Sequence, residues 1–239
     1  MIAILADIHA NLAALDAVLD DARARGSTRF LSLGDVAGYH AQPGECIDRL
    51  REIGAVNLMG NHDSYLVSEQ NCPRSRVVAG IIDVQKKLVS AEQIEWLRGS
   101  PASLREGSTL YVHGGPEDPQ DQYLYAVRES TIPADVQCLF SGHTHVQALI
   151  EFGPKDHPKI FCNPGSVGQP RDNDPRAAYA TVDEAGRIHL HRVRYDIDST
   201  AQAMKAAGFE PFHYENLYIG AQIGGRIDRI KVLEKDEEA

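Results

Sequence analysis

The chain has no long hydrophobic run, no paired-cysteine motif and no excess of positive charge, and each absence removes a class of protein. No stretch approaches the roughly 20 uninterrupted apolar residues needed to cross a bilayer, so a membrane-spanning helix is not expected. The four cysteines, Cys46, Cys72, Cys138 and Cys162, contain no C-x-x-C spacing. A small disulfide scaffold is excluded, and Cys46, Cys138 and Cys162, in apolar surroundings, read as reduced core residues. Lysine and arginine number 24 against 34 aspartates and glutamates, a net charge of -10. That balance disfavours a bulk electrostatic grip on nucleic acid or on an anionic membrane, although bound cations would create a local positive site that the count does not register. The opening MIAILADIHAN lacks a basic segment and carries an acid at position 7, unlike a signal peptide. The expected location is the cytoplasm. There is no internal repeat, linker or sharp change in composition. The 239 residues therefore read as one domain over 1–239, with 229–239 as a frayed tail.

The elements that are present begin with alternation. Ile2 to Ala6 is continuously apolar, as in a strand buried on both faces. Leu12, Leu15, Leu19 and Ala22 follow at helical spacing, with Asn11 as N-cap and Gly26 as stop. Phe30 to Leu33 and Val56 to Met59 read as strands around a helix that starts at Pro43. This order implies a parallel sheet built by right-handed crossovers. Ser64 to Leu104 is mostly helical in pattern, with a Ser90/Gln93 capping box. Leu110 to Val112 and Cys138 to Phe140 are short strands, and Gly114 to Gln137 between them reads as an exposed loop. Val146–Phe152, Lys159–Cys162, Ala178–Val182 and Arg187–Tyr195 read as antiparallel strands, followed by a helix over Ser199–Gly208. The residues sum to an α/β domain with an antiparallel second sheet, a sandwich with helices outside.

Six of the apolar runs end in ligand-type residues: Asp7-x-His9, Asp35, Asn61-His62-Asp63, His113-Gly-Gly, His143-Thr144-His145 and Asn163-Pro-Gly-Ser. In open α/β sheets ligands bind at the carboxyl ends of strands, so these motifs should gather on one edge. Asp7, His9, Asp35, Asn61, His62, His113, His143 and His145 include five of the ten histidines. One zinc needs three or four ligands; this many oxygen and nitrogen donors suits two metals about 3.5–4 Å apart with a bridging carboxylate. In extended chain His143 and His145 would point to the same side, each reaching a different metal. Mixed O/N ligation without thiolate suits Mn, Fe, Zn or Co, with manganese first and iron or zinc next. Singly, each motif has a plain structural explanation, such as a turn or a helix cap. Together, at successive strand ends, they do not.

The ordered set D-x-H, G-D, G-N-H-D, H-G and G-H-T-H resembles the calcineurin-like metallophosphoesterase superfamily, and N-P-G-S-V-G-Q-P-R resembles its small bacterial and archaeal phosphodiesterase branch. The resemblance runs from Asp7 to about Arg171. It implies a four-layer α/β fold (an α+β sandwich), with two mixed β-sheets packed face to face and helices on the outer faces. It implies a first metal on Asp7, His9 and His145, a second on Asn61, His113 and His143, and Asp35 bridging. The implied reaction is hydrolysis of a small phosphoester, a phosphodiester or nucleotide before a monoester, by a hydroxide bridging the two metals. His62 would assist the leaving group, with Asp63 orienting its ring.

Relatives that hydrolyse phosphoproteins or dinucleoside tetraphosphates carry an arginine after the second motif. Here the segment reads Gly34-Asp35-Val36-Ala37-Gly38-Tyr39-His40, so Arg171 or Arg128 would have to supply that cation. Tyr39 and His40, and Tyr123 and Tyr125 beyond His113, are candidates for the substrate side. His189 and His191 read as surface residues. The alternatives are a non-catalytic scaffold of the same fold, such as the retromer subunit it resembles, and, ranked lower, a DNA-repair nuclease. Membrane and nucleic-acid partners are not expected, and self-association is left open.

Overall fold

The computed structural model describes residues 1–233. The remainder of the expected tail, 234–239, lies outside the described residues. In chain order the regular elements are β1 (Ile2–Leu5), α1 (Leu12–Ala24), β2 (Arg29–Ser32), α2 (Pro43–Glu52), β3 (Val56–Asn57), α3 (Asn61–Val67), α4 (Arg76–Gln85), α5 (Ala91–Arg98), β4 (Ser103–Glu106), β5 (Thr109–Val112), β6 (Ala126–Val127), β7 (Cys138–Ser141), β8 (Ala148–Phe152), β9 (Lys159–Asn163), β10 (Ala177–Val182), β11 (Ile188–Val193), α6 (Ile197–Ala206) and β12 (Lys231–Val232). Asn11 caps α1 by accepting the Ala14 amide at 3.2 Å, and the Ser90/Gln93 capping box opens α5. The third strand is shorter than expected: the Met59 amide turns away to the Pro101 carbonyl and ends the ladder.

Two mixed five-stranded sheets, ordered β11-β10-β1-β2-β3 and β4-β5-β7-β9-β8, pack face to face. β1, β2 and β3 are parallel, as expected. The expected antiparallel second sheet is corrected in two respects. β10 and β11 return to the first sheet, with β10 antiparallel to β1, and β9 runs parallel to β7. Small residues make that return feasible: Ala177, Ala178 and Ala180 let β10 be buried on both faces beside β1.

Strand alternation sorts the core into layers. Ala3 and Leu5 face α1 and α2, whereas Ile4 and Ala6 face Tyr111, Phe140 and Cys162 between the sheets. Leu139 and Phe161 face outward from the second sheet and are covered by Leu124, Val127, Ile132 and Val136. The 114–137 segment is therefore not simply an exposed loop. It supplies the outer layer of the second sheet. The expectation of a frayed end from 229 is likewise corrected, because Lys231 and Val232 pair with Ala126 and Val127 and Ile230 packs against this cluster.

Candidate metal centre

The loops after β1 and β2 run side by side: the amides of Asp7, His9 and Ala10 donate to the carbonyls of Gly34, Asp35 and Val36 at 2.7–3.0 Å. Asp7, His9, Asp35, His143 and His145 all have φ between 50° and 64°. Each left-handed side-chain residue costs roughly 1–2 kcal/mol, and such strain persists where surrounding structure enforces it. This corrects the extended geometry expected for His143-x-His145. A sharp turn, not strand alternation, sends the two rings to different places.

His145 joins Asp7 and His9. Its Nε2 is 3.1 Å from Nε2 of His9 and 3.3 Å from Oδ1 of Asp7. His143 joins His113 and Asn61: Nε2 of His113 lies 3.0 Å from Nδ1 of His143 and 3.1 Å from Oδ1 of Asn61. Oδ2 of Asp35 stands between the groups, 3.3 Å from His113 and 3.7 Å from His9. All these side chains are buried.

The hydrogen bonds around the cluster fix what faces inward. Nδ1–H donates to the carbonyls of Ala37 from His9 (2.7 Å), Leu33 from His113 (3.2 Å) and Gln169 from His145 (2.7 Å). A carbonyl only accepts, so in the neutral rings Nε2 carries a lone pair aimed at the cluster. Asp7 and Asp35 each give one oxygen to an amide, of His143 (3.0 Å) and His62 (2.8 Å), and turn the other inward. Oδ1 of Asp7 is buried with no hydrogen-bond partner among the described residues. Facing lone pairs at 3.0–3.8 Å repel unless a cation lies among them. Donors about 2.1 Å from a common ion and at right angles stand about 3 Å apart, so the donor set fits divalent metal ions.

Burial and neighbouring charge set the ionisation of the donors in the absence of an ion. Burial pushes the Asp7 carboxyl up, to about 7, and holds His9, His143 and His145 well below the ordinary imidazole range. Burial also opposes charge on His113, but the adjacent Asp35 carboxylate overrides it and raises His113 to about 9. Asp35 itself is held low: burial works against its charge, and His113 and His62 outweigh burial.

The other expected site residues divide. His62 lies beside the cluster with Nε2 4.0 Å from Oδ2 of Asp35 and Nδ1 buried and unpartnered among the described residues, and burial lowers its pKa to about 4. Asp63 does not orient that ring; its carboxylate accepts the amides of Ala37 (2.9 Å) and Gly60 (3.4 Å), because it sits in the first turn of α3. Tyr39 reaches the site, its ring 4.5 Å from that of His9 and 4.8 Å from that of His62. His40 does not: it is fully buried, with Nδ1 donating to the His9 carbonyl at 2.7 Å. Adjacent residues on this loop point opposite ways, so Tyr39 and His40 could not both face the substrate.

Arg171, 5% exposed, donates to the Tyr39 hydroxyl at 2.9 Å. Arg128 lines two clefts together with Ser130 and Pro133. The exposed Tyr123 stacks on His143 at 3.7 Å between ring centres. Among the residues without an expected role, Gln85 clamps the Asp35–His40 loop, accepting the Gly38 amide at 2.8 Å and donating to the His40 carbonyl at 2.6 Å. Its position on an ordinary helix gave no signal. Asn163 and Ser166 of the N-P-G-S motif buttress the site: Asn163 donates to the Gly142 carbonyl and Ser166 to that of Asp7.

Comparison with known proteins finds the same architecture. A family model described as the calcineurin-like phosphoesterase superfamily domain matches residues 1–187. An uncharacterised protein of Methanocaldococcus jannaschii is 30% identical, covering 92% of this chain and 98% of its own. The crystal structure of a metallophosphoesterase from Sphaerobacter thermophilus superposes with a TM-score of 0.80 at 34% identity, covering 92% of this chain and 99% of that one. A hypothetical protein from Pyrococcus horikoshii reaches 0.79 at 19% identity, covering 93% and 100%, a likeness of fold.

Proposed function

Since the chain belongs to the calcineurin-like phosphoesterase superfamily, a family of metal-dependent phosphoester hydrolases, we propose that it hydrolyses small phosphodiesters with two divalent ions, manganese first and iron or zinc next. The observation that carries this reading is the position of Asp35, with one oxygen anchored on the His62 amide and the other between two donor groups. Ions bound there would neutralise phosphoryl charge and lower the pKa of a water towards neutrality. The ligands present few formal charges, two carboxylates among imidazoles and an amide, so the loaded site stays cationic and draws in an anion despite the net charge of -10.

The chain's own groups do the remaining work. Carbonyl-anchored rings and amide-anchored carboxylates hold the donors in place before substrate arrives. His62, with Nε2 turned towards Asp35, stabilises the phosphoryl group or hands a proton to the departing oxygen. Arg171, the last residue of N-P-G-S-V-G-Q-P-R, supplies the cation missing after Asp35. The four free thiols fit the reducing cytoplasm as the compartment.

The test is turnover of bis(p-nitrophenyl) phosphate and p-nitrophenyl phosphate with added Mn, Fe or Zn. The expected result is faster diester hydrolysis, with His62→Ala lowering kcat by about 10²–10⁴-fold while metal content is retained. No turnover of either ester with any of the metals would refute the proposal.

A further inference from the structure

A cleft of about 450 Å³ opens beside the donor cluster, with Tyr39, Tyr123, Tyr125, Arg171, Phe212 and Gln222 among its walls. The volume lies within the usual range for a small-ligand site. Two walls belong to the candidate centre, since Tyr39 packs on His9 and His62 and Tyr123 on His143. The opposite wall, with Phe212 and Gln222, comes from beyond residue 187, where the family match ends.

The lining is both flat and polar. The rings of Tyr123 and Tyr125 lie nearly parallel, 4° apart with centres at 5.4 Å, and the Arg171 guanidinium sits 5.3 Å over the Tyr39 ring. Nε of Arg171 is buried without a partner among the described residues. Gln222 gives one amide N–H to Asp228, which leaves its carbonyl oxygen and second N–H to meet a polar edge. Asp228, buried at 6% exposure, ties the walls together. It accepts from the Tyr125 hydroxyl (3.1 Å), Gln222 Nε2 (2.6 Å) and Arg226 Nε (2.9 Å), and its amide donates to the Arg171 carbonyl at 2.7 Å.

We infer that this cleft holds the heteroaromatic base of a nucleoside phosphoester whose phosphoryl group lies at the metal centre, and that Asp228 is the positioning residue that keeps its walls in register. The inference rests on the phosphoesterase reading and narrows its substrate. Stacking on aromatic rings suits any base, because every base has a flat π face, and the amide adds a partner for ring nitrogens or exocyclic groups. A plain alkyl substituent would meet neither feature.

Three diesters with one leaving group test it: thymidine 5′-(p-nitrophenyl phosphate), phenyl p-nitrophenyl phosphate and methyl p-nitrophenyl phosphate, assayed with Mn. The nucleoside ester should exceed the methyl ester in kcat/KM by at least about tenfold, chiefly through a lower KM, and should also exceed the phenyl ester. Phe212→Ala and Asp228→Asn should each shrink the nucleoside-to-methyl ratio several-fold, read as a ratio within each folded variant. Equal kcat/KM for nucleoside and methyl esters, a ratio untouched by both substitutions, or a phenyl ester matching the nucleoside one would overturn the base assignment while leaving the phosphoesterase reading intact. Absence of turnover of all three would overturn both.

Discussion

A buried carboxylate is defined by who donates to it. Asp7 and Asp35 each receive one amide and keep an oxygen for the cluster, whereas Asp63 spends both oxygens on amides. Nothing in G-N-H-D or G-D distinguishes these cases, since both place an aspartate at a strand end. Only the φ values and the facing loops do. Asp63→Ala is therefore expected to act on stability first, leaving two amides short of their acceptor at a cost of about 1–3 kcal/mol, measured as a lower urea midpoint. If Asp63 instead oriented His62, kcat would fall with no loss of stability. His40 makes the same point: its place beside Tyr39 suggested a position on the substrate side, yet its ring is fully buried, with Nδ1 donating to the His9 carbonyl.

Elements converge on the centre because glycines allow their backbones to touch. A Cβ at Gly168 would stand 1.9 Å from the Ile8 carbonyl oxygen, and one at Gly60 2.1 Å from Oδ1 of Asp35. Gly168→Ala forces backbone apart where the Val167 and Gly168 amides bond the Ala6 and Asp7 carbonyls. The expected outcome is a loss of more than about 2 kcal/mol, seen as a lower thermal midpoint, together with weakened metal binding in a titration. The parallel half of the fold was legible at this scale because apolar runs and helical stripes have distinct periods. The 114–137 segment was not. Leu124, Val127, Ile132 and Val136 follow no single period, and their burial depends on a sheet face made elsewhere in the chain and on the late strand at 231–232.

At the scale of the molecule, donors from both sheets meet at one edge, so metal and fold are coupled. Asp7 and Asp35 follow strands of the first sheet, and His113 and His143 follow strands of the second. A cation that replaces facing lone pairs stabilises only the folded chain. At a hundredfold excess of metal over its dissociation constant, the gain is about 2.7 kcal/mol, roughly 5–10 °C in Tm for a domain this size. Differential scanning calorimetry after EDTA treatment, with and without added Mn, is expected to show that rise. An unchanged Tm would mean that the cluster holds no ion that favours the folded state. Chelation should also abolish esterase activity and Mn should restore it.

The sequence by itself determined the kind of chemistry and its general location. Residue type fixes what can ligate a metal, and strand-terminal position fixes which edge those residues reach. The tertiary structure decided everything that depends on two distant segments at once: which donors share a cluster, which carboxylate oxygen is left free, which side of a loop faces the cleft, and which late residues complete its wall. Those are matters of direction in space. Local sequence constrains direction weakly, because a left-handed turn at one residue, such as His143, redirects every side chain that follows it.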